Sequence, residues 1–290
     1  MRVVIIGAGG QLGSDLTEVL RQCGEEVVPL TRQDVDVTDS RTVRDTLGQY
    51  APEVIVNCAV YHPVDECEKD PASSFAVNAI AVRELGLIAN EIHAAMLHFS
   101  SDYVFDGQTG RPYTEADPPT PASVFGVSKV AGEHLLRKVL RRHYIVRTSG
   151  LYGLVGSRVK RGNFVETMLR LGGQNGHVRV VNDLRMAQTS TRNLARQVVA
   201  LMRTEHYGTY HASDHGDYSW YEFALKIFAF SGMKVDVTPV SWRDMPAVAS
   251  RPAYSVLENA QLMKLGLDQM ESIDVALQSY LSAREAVAAA

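Results

Sequence analysis

Hydrophobic residues in the first half of the chain alternate between short continuous runs and longer stretches with helical spacing. Residues 3–6 (Val-Val-Ile-Ile) form an uninterrupted β-branched run, as expected for a strand covered on both faces. Further buried strands are predicted at 26–30, 53–57, 95–100 and 144–147, and helices at 11–22, 40–49, 72–91 and 122–141. Repeated β-α-β units of this kind predict an α/β fold, a Rossmann-type doubly wound parallel sheet.

The rhythm changes after about residue 153. A short strand is predicted at 178–181 and helices at 191–204, 220–231 and 273–281, while glycines at 172, 173 and 176 and several prolines interrupt the pattern. We therefore expect an NAD(P)-binding Rossmann domain over 1–153, to which segments near 186–212 return. A smaller C-terminal α/β substrate lobe is expected over 154–290.

Composition excludes several classes of protein. The 290 residues are 46% hydrophobic and carry a formal charge of −4, with no long basic run, which argues against a nucleic-acid partner. No window approaches the roughly 20 apolar residues of a membrane span, and the opening apolar run is too short for a signal peptide. Three cysteines without a Cys-x-x-Cys pair favour a reducing cytoplasm.

A glycine-rich loop lies between the first strand and the first helix. Gly7 permits a tight turn, Gly10 lets the backbone approach a pyrophosphate, and Gly13 allows close packing of helix on strand. Gln11 and Leu12 open the helix, whose free N–H groups and dipole favour phosphate. The loop predicts a dinucleotide site.

The end of the second strand bears on the choice of cofactor. An acidic residue there is typical of NAD sites, but this chain has Arg32, which suits a 2′-phosphate. NADP(H) is favoured over NAD(H), although a solvated surface arginine would explain Arg32 nearly as well. Asp36 and Val37 follow and could flank the adenine.

A second group of polar residues follows the strand at 95–100. Ser100 and Ser101 lie at its carboxyl end, where ligands gather in open α/β sheets. In the next helix Phe125 and Lys129 are four residues apart and so share a face. A tyrosine at 125 would donate a proton to a carbonyl held by Ser101, with its pKa lowered by Lys129. Phenylalanine has no such proton.

Together these segments resemble the extended short-chain dehydrogenase/reductases and, within them, the dTDP-4-dehydrorhamnose reductases. The matching segments are 7–13, 52–59, 64–68, 100–107, 126–133, 147–149, 163–165, 220–221 and 251–252. The resemblance implies NAD(P)H-dependent reduction of the 4-keto group of dTDP-4-dehydro-L-rhamnose.

The resemblance also assigns residues. It implies catalytic roles for Ser101, for Lys129 and for position 125. Further cofactor contacts are expected at Ala59, Asn78 and Ser100. Contacts to the nucleotide sugar are expected at Ser101, Asp102, Tyr103, Phe125 and Gly150.

The acidic turn formed by Asp65, Glu66 and Glu68 could hold Mg²⁺ by resemblance, but a solvated turn is favoured and no metal site is assigned. A homodimer is compatible with the sequence, which does not decide the oligomeric state.

This chain departs from the family where the proton is supplied. Phe125 replaces the tyrosine, and none of the seven lysines has a tyrosine four positions before it. Gly150 stands where the family often has a tryptophan, and Ser250 replaces the first of two arginines before Pro252. The segment 182–189 also lacks the glutamine and proline usually seen there in the family. This change and the one at 250 fall in the lobe expected to hold the nucleotide sugar, so the identity of the sugar is less constrained than the fold.

Three explanations of Phe125 remain open. It is an engineered change, a natural inactivation, or a sign that Tyr103, Tyr61 or His62 gives the proton. The chief alternative function is a non-catalytic NADP-binding subunit resembling the methionine adenosyltransferase β subunit. An epimerase or dehydratase is less favoured, because that chemistry depends more on the Tyr/Lys pair.

Overall fold

A computed structural model describes residues 1–155, 162–246 and 248–289, without the side chains of 288 and 289. Its main sheet has six parallel strands in the order β10-β5-β4-β3-β1-β2. Their bounds are Arg2–Ile6 (β1), Glu26–Leu30 (β2), Val54–Asn57 (β3), Ala95–Ser101 (β4), His143–Thr148 (β5) and Gly208–His211 (β10). The expected doubly wound parallel sheet is confirmed.

Helices cover both faces of this sheet. They are α1 (Gln11–Gln22), α2 (Ser40–Tyr50), α3 (Val64–Lys69), α4 (Pro71–Phe75), α5 (Ala81–Glu91), α6 (Val124–Val139) and α8 (Thr191–Met202). On one face Leu12 and Leu16 of α1 pack with Leu194 and Val198 of α8. On the other face α2, α5 and α6 bury a second cluster that includes Leu47, Ile88 and Leu136. The central strands β1, β3, β4 and β5 are therefore buried on both sides, as their sequences predict.

The second half supplies a smaller unit built from short strand pairs and four α-helices. Its elements are β6 (Leu151–Tyr152), α7 (Phe164–Asn175), β7 (His177–Val181), β8 (Arg185–Met186), β9 (Thr189–Ser190), β11 (Tyr218–Ser219), α9 (Trp220–Phe230), β12 (Asp236–Val240), α10 (Ala260–Lys264) and α11 (Ile273–Ala289). A separate core joins α7, α9 and α11 through residues such as Val165, Phe223 and Leu277. The smaller α/β lobe is confirmed, and β10 and α8 pack with the main sheet.

Several elements of this lobe were not predicted, among them α7 and β12, which contain glycine or proline. Gly172 and Gly173 lie inside α7 and do not interrupt it. Glycine is needed at 172 because α7 packs so closely on Phe228 that a Cβ there would lie 2.6 Å from the ring. Pro239 lies inside β12, whose only partner strand among the described residues is β7. An edge strand tolerates the missing N–H of proline.

The predicted helix at 72–91 is present, but its geometry changes from α to π and back to α. Between α4 and α5 the residues Ala76–Ile80 form one π turn. The segment Pro71–Glu91, with a mean hydropathy of 1.3, is long and apolar enough to cross a membrane by length and composition alone. The expectation that no window comes close to this limit was therefore wrong. Half of that window is buried inside the fold, and the core helix of a globular domain passes the same test.

Candidate active site

The glycine-rich loop joins β1 to α1 at the carboxyl edge of the sheet. Gly7 has φ +82°, and a Cβ there would lie 2.9 Å from the Cys58 carbonyl carbon. A Cβ on Gly13 would lie 2.5 Å from the Gly7 oxygen, so the helix packs directly on the turn. The N–H groups of Gly7 and Ala8 both donate to the Leu30 oxygen at 2.9 Å. Gly7 and Gly13 therefore have no room for a side chain, because backbone atoms already occupy that space.

The start of α1 leaves donors for an anion. Gly10 is its N-cap and provides no side-chain bond, so no side chain among the described residues caps the first N–H groups of the helix. The Gln11 side chain accepts a hydrogen bond from the Gly153 N–H at 3.2 Å and ties the loop to the end of β6. Leu12 is buried in the core, so only its backbone is placed for a ligand.

The turn after β2 presents a cation. The Arg32 side chain is 93% exposed, and its Nη2 lies 4.0 Å from Asp36 Oδ2. Asp36 Oδ1 accepts from the N–H and hydroxyl of Thr38 at 2.9 and 2.7 Å, while Val37 is buried. The guanidinium is therefore accessible beside the β2 end, where an adenosine ribose lies in folds of this type.

Ser101 and Asp102 lie at the carboxyl end of β4. Ser101 Oγ donates to Asp102 Oδ1 at 2.9 Å and accepts from the Tyr103 N–H at 3.2 Å. Asp102 is 3% exposed, and its Oδ2 accepts from Ser255 Oγ at 2.6 Å. Burial raises the pKa of Asp102 to about 6, against the lowering effect of these hydroxyl donors. Ser255 was not found by sequence reasoning, because it is 153 residues away.

Phe125 lies in the first turn of α6, which Ser123 caps by accepting from the Gly126 N–H at 3.2 Å. The ring is 3% exposed and meets the rings of His62 and Tyr103 edge to face, with centroids 5.6 and 5.7 Å away. Phe125 thus packs in an aromatic group with His62 and Tyr103, which are two of the three alternative proton donors named above. The third is Tyr61.

Lys129 is buried one turn further along α6. Its Nζ donates to the Phe99 oxygen at 2.6 Å and lies 3.2 Å from His98 Nε2. Burial lowers the pKa of Lys129 to about 8. His98 Nδ1 in turn faces Asn57 Nδ2 at 3.2 Å, and burial holds the pKa of His98 well below its ordinary value.

The sequence analysis missed His98 and Asn57. The two residues are register partners on β4 and β3, and register is not readable from one chain. Asn57 Oδ1 also accepts from the Ala59 N–H at 3.0 Å, which fixes the backbone where Ala59 was expected to meet the cofactor.

Asn78 occupies the π turn and is fully buried. Its Oδ1 accepts from the Tyr61 N–H at 2.9 Å, and its Nδ2 donates to the Tyr61 oxygen and to Ser128 Oγ, each at 3.0 Å. These bonds hold the loop after β3 against α6. Its expected contact with a cofactor stays a prediction, as does that of Ser100, which is buried at the end of β4.

Gly150 and Tyr103 border the same region. Gly150 has φ +56°, and a Cβ there would lie 2.9 Å from the Ala187 oxygen, so the backbone at this position favours glycine. Burial raises the pKa of Tyr103. Their expected contacts with a sugar also stay predictions.

The acidic turn formed by Asp65, Glu66 and Glu68 is not simply solvated, so its interpretation from the sequence as a solvated turn was wrong. Asp65 Oδ1 accepts from the N–H groups of Val248 and Ala249 at 3.0 and 2.9 Å, and Oδ2 pairs with Arg251 Nη2 at 2.9 Å. Within the described residues no group of three or more His, Cys, Asp or Glu could hold a metal ion. Mg²⁺ is therefore not supported.

The residues present fit a dinucleotide. A glycine turn with no room for a Cβ at Gly7 or Gly13, a helix start without a side-chain cap among the described residues, and the exposed Arg32 lie at the carboxyl ends of β1 and β2, in the sheet whose strand β4 ends at Ser101. Fold and site together define a Rossmann-type protein of the short-chain dehydrogenase/reductase class.

Comparison with known proteins narrows this class. The chain belongs to the family described as the RmlD substrate binding domain, which it matches over residues 1–285. It is 39% identical to the spore coat polysaccharide biosynthesis protein SpsK of Bacillus subtilis, over 98% of each chain.

Two further relatives are named as reductases. The chain is 38% identical to dTDP-4-dehydrorhamnose reductase of Streptomyces griseus, covering 95% of this chain and 91% of the relative. The crystal structure of dTDP-4-dehydrorhamnose reductase from Bacillus anthracis in complex with NADP superposes with a TM-score of 0.93 at 36% identity. It covers 97% of this chain and 99% of that one.

Proposed function

We propose that this chain is an NADPH-dependent reductase of a dTDP-linked 4-keto-6-deoxysugar, with dTDP-4-dehydro-L-rhamnose as its substrate. The observation that carries the proposal is the placement of Ser101 and Lys129 beside a glycine cradle in a chain 38% identical to a named dTDP-4-dehydrorhamnose reductase. NADPH is favoured because Arg32 is exposed at the β2 end and because a relative binds NADP. NADH is the alternative cofactor.

The cofactor supplies a hydride when bound. The chain's own residues hold and orient the reactants: the Gly7–Gly13 loop and the start of α1 bind the pyrophosphate, and Arg32 binds a 2′-phosphate. Lys129 lies where it can bind the nicotinamide ribose. Ser101 presents its hydroxyl to the ketone, and the lobe over 154–290 holds the nucleotide sugar.

Phe125 sets the expected rate. A positioned general acid contributes roughly 10²–10⁴-fold to turnover, so its absence costs about 3–5 kcal/mol of barrier. Binding of cofactor does not depend on that hydroxyl. We therefore propose slow turnover with intact cofactor binding, in a cytoplasmic protein whose three cysteines are all free.

The decisive experiment compares NADPH oxidation by the chain as it stands and by Phe125→Tyr, each with dTDP-4-dehydrorhamnose. A gain of about 10²-fold or more in kcat for the variant supports the proposal. NADPH binding measured by calorimetry is the control, and it should be the same in both proteins.

A second candidate function follows from Phe125 itself. A phenylalanine packed between His62 and Tyr103 is compatible with a non-catalytic NADP-binding subunit. Tight NADPH binding without turnover in either protein would favour that function and contradict the reductase proposal.

A further inference from the structure

Asp102 and Ser101 form a hydrogen-bonded pair at the end of β4, where the proposed ketone would lie. The Asp102 carboxyl is 3% exposed and touches two hydroxyls, Ser101 at 2.9 Å and Ser255 at 2.6 Å. Ser101 Oγ has one further partner, the Tyr103 N–H at 3.2 Å. We propose that Asp102, acting through Ser101, supplies the proton that Phe125 cannot give. This inference rests on the proposed reductase function.

The protonation state of Asp102 decides where the Ser101 proton points. A hydroxyl has one proton and two lone pairs. When Asp102 is ionised, it takes the Ser101 proton as a hydrogen bond, and Ser101 turns a lone pair toward the ketone. When Asp102 is protonated, it donates to Ser101, whose other lone pair accepts from Tyr103 N–H. The Ser101 proton is then free for the carbonyl oxygen.

The proton transfer is balanced within this arrangement. The carbonyl carbon gains the hydride as the C=O π bond breaks, so the ketone is reduced to an alcohol and the reduced cofactor is oxidised. The carbonyl oxygen takes the Ser101 proton, and Ser101 takes the proton of Asp102. Asp102 is left as a carboxylate and regains its proton from water before the next turnover.

Two other acids near Phe125, Tyr103 and Lys129, are less well placed. Burial raises the pKa of Tyr103, which makes it a weaker acid. Lys129 directs a proton to the Phe99 oxygen at 2.6 Å. Asp102 differs because it bonds directly to the hydroxyl that would hold the ketone.

The surroundings of Asp102 keep it near neutrality. Burial raises its pKa to about 6. The ionisable group that interacts with its charge is Tyr103 on the same turn, and Tyr103 is in turn influenced by Arg251 and Asp65, which pair with each other at 2.9 Å. A carboxyl of this kind is protonated often enough to act as an acid and ionised often enough to be recharged.

The test is a double-mutant cycle between Asp102→Asn and Phe125→Tyr. Asparagine keeps the shape and a donor to Ser101 but has no proton to give. In the chain as it stands, Asp102→Asn should lower kcat about 10²-fold, whereas in the Phe125→Tyr background the loss should be within about 3-fold, because the tyrosine then serves as general acid. NADPH binding by calorimetry verifies that each variant is folded.

Two further readouts separate proton supply from a structural role. kcat of the chain as it stands should fall as the pH rises through the pKa of Asp102, and this fall should be absent in Phe125→Tyr. Ser255→Ala removes a donor that lowers this pKa, so the fall should move upward by roughly 0.5–1 pH unit. In ¹³C-aspartate NMR spectra of the cofactor-free protein, a carboxyl that titrates near pH 6 should be missing from Asp102→Asn, while that of Asp214, whose pKa burial raises to about 7, should remain.

The outcomes are distinguishable. Equal losses from Asp102→Asn in both backgrounds, or turnover in Phe125→Tyr alone, would overturn this inference and leave the reductase proposal standing. A carboxyl that is ionised at all pH values above about 4, the ordinary range for aspartate, would also overturn it. No turnover in any variant, with NADPH bound, would overturn both.

Discussion

The surroundings of Lys129 disfavour its positive charge. A charged Lys129 donates to His98 Nε2, which leaves the ring proton on Nδ1, opposite the Asn57 amide N–H. A proton on Nε2 instead points at the ammonium. Either way, one contact brings two donors together. Together with burial, this makes the charged lysine costly in the folded protein.

This conflict predicts a pH-dependent difference between the chain and Lys129→Met. The folded pKa of Lys129, about 8, lies below its unfolded value, so between the two the unfolded chain binds more protons and stability rises with pH. From pH 7 to pH 10.5 the free energy of unfolding should shift by up to about 3 kcal/mol in favour of the lysine protein. Urea denaturation across this range measures the shift.

The matched control is Lys264→Met, which changes an exposed lysine on α10. Its difference from the unmodified chain should stay constant with pH. A constant difference for Lys129→Met as well would contradict the interpretation of Lys129 as a desolvated cation.

Arg32 gives a second prediction, on cofactor choice. Arg32→Ala should weaken NADPH binding about tenfold or more, because a charge-assisted bond to phosphate is lost, and should leave NADH binding unchanged. Calorimetry with both cofactors measures this. Arg141→Ala, another exposed arginine, is the control, and equal weakening toward both cofactors would exclude a 2′-phosphate contact.

Sequence reasoning at this scale located motifs better than networks. It found Gly7, Ser101 and Lys129 because each lies at a fixed offset within a local pattern. It missed His98, Asn57 and Ser255, which are isolated polar residues whose partners are distant in the sequence. The roles given to the predicted residues stay predictions.

At the scale of elements, close approach between helices positions the site. A Cβ on Gly132 would lie 2.1 Å from the Asn78 oxygen, and one on Gly126 would lie 2.2 Å from the Tyr103 oxygen. Helix α6 therefore rests directly on the π turn and on the turn after β4. This contact determines where Phe125 and Lys129 lie relative to Ser101.

Gly132→Ala and Gly48→Ala should have opposite effects on stability. The first forces backbone apart and should destabilise the fold by about 1–3 kcal/mol, with weaker NADPH binding. The second adds a methyl where no atom lies within 4 Å, in the exposed helix α2, and should stabilise by roughly 0.5–1 kcal/mol. Chemical denaturation measures both, and a Gly132→Ala protein as stable as the original would contradict the close contact.

Two of the elements that sequence patterns missed, α7 and β12, contain glycine and proline. Those residues disfavour helix and strand locally. Tertiary packing of Gly172 against Phe228 and the pairing of β12 with β7 outweigh that preference, and neither contact is visible in a local window.

On the scale of the whole molecule, Asp65 joins the two halves beside the site. Its carboxylate holds the N–H groups of Val248 and Ala249 and the guanidinium of Arg251. Although burial opposes the charge, these donors lower the pKa of Asp65 to about 2. The C-terminal segment is thus held against the loop that follows β3.

Asp65→Asn should lower the urea midpoint at pH 7. Because the folded pKa lies below the unfolded one, Asp65 stabilises the fold fully above about pH 4 and loses this effect as the pH falls toward 2. The difference between variant and parent should shrink over that interval. Asp45→Asn, at an exposed position on α2, is the control. A difference that persists at low pH would show that the charge is not its cause.

The main sheet is completed late in the sequence. Strand β10 covers the open edge of β5, and α8 covers the helix that follows the glycine loop, although both lie beyond residue 190. During synthesis the nascent chain therefore carries an uncovered apolar surface until more than two thirds of it has left the ribosome. We expect the glycine-rich loop and the start of α1 to become able to bind the cofactor only at that stage. A stalled or truncated chain would therefore depend on chaperones and not on its cofactor for protection.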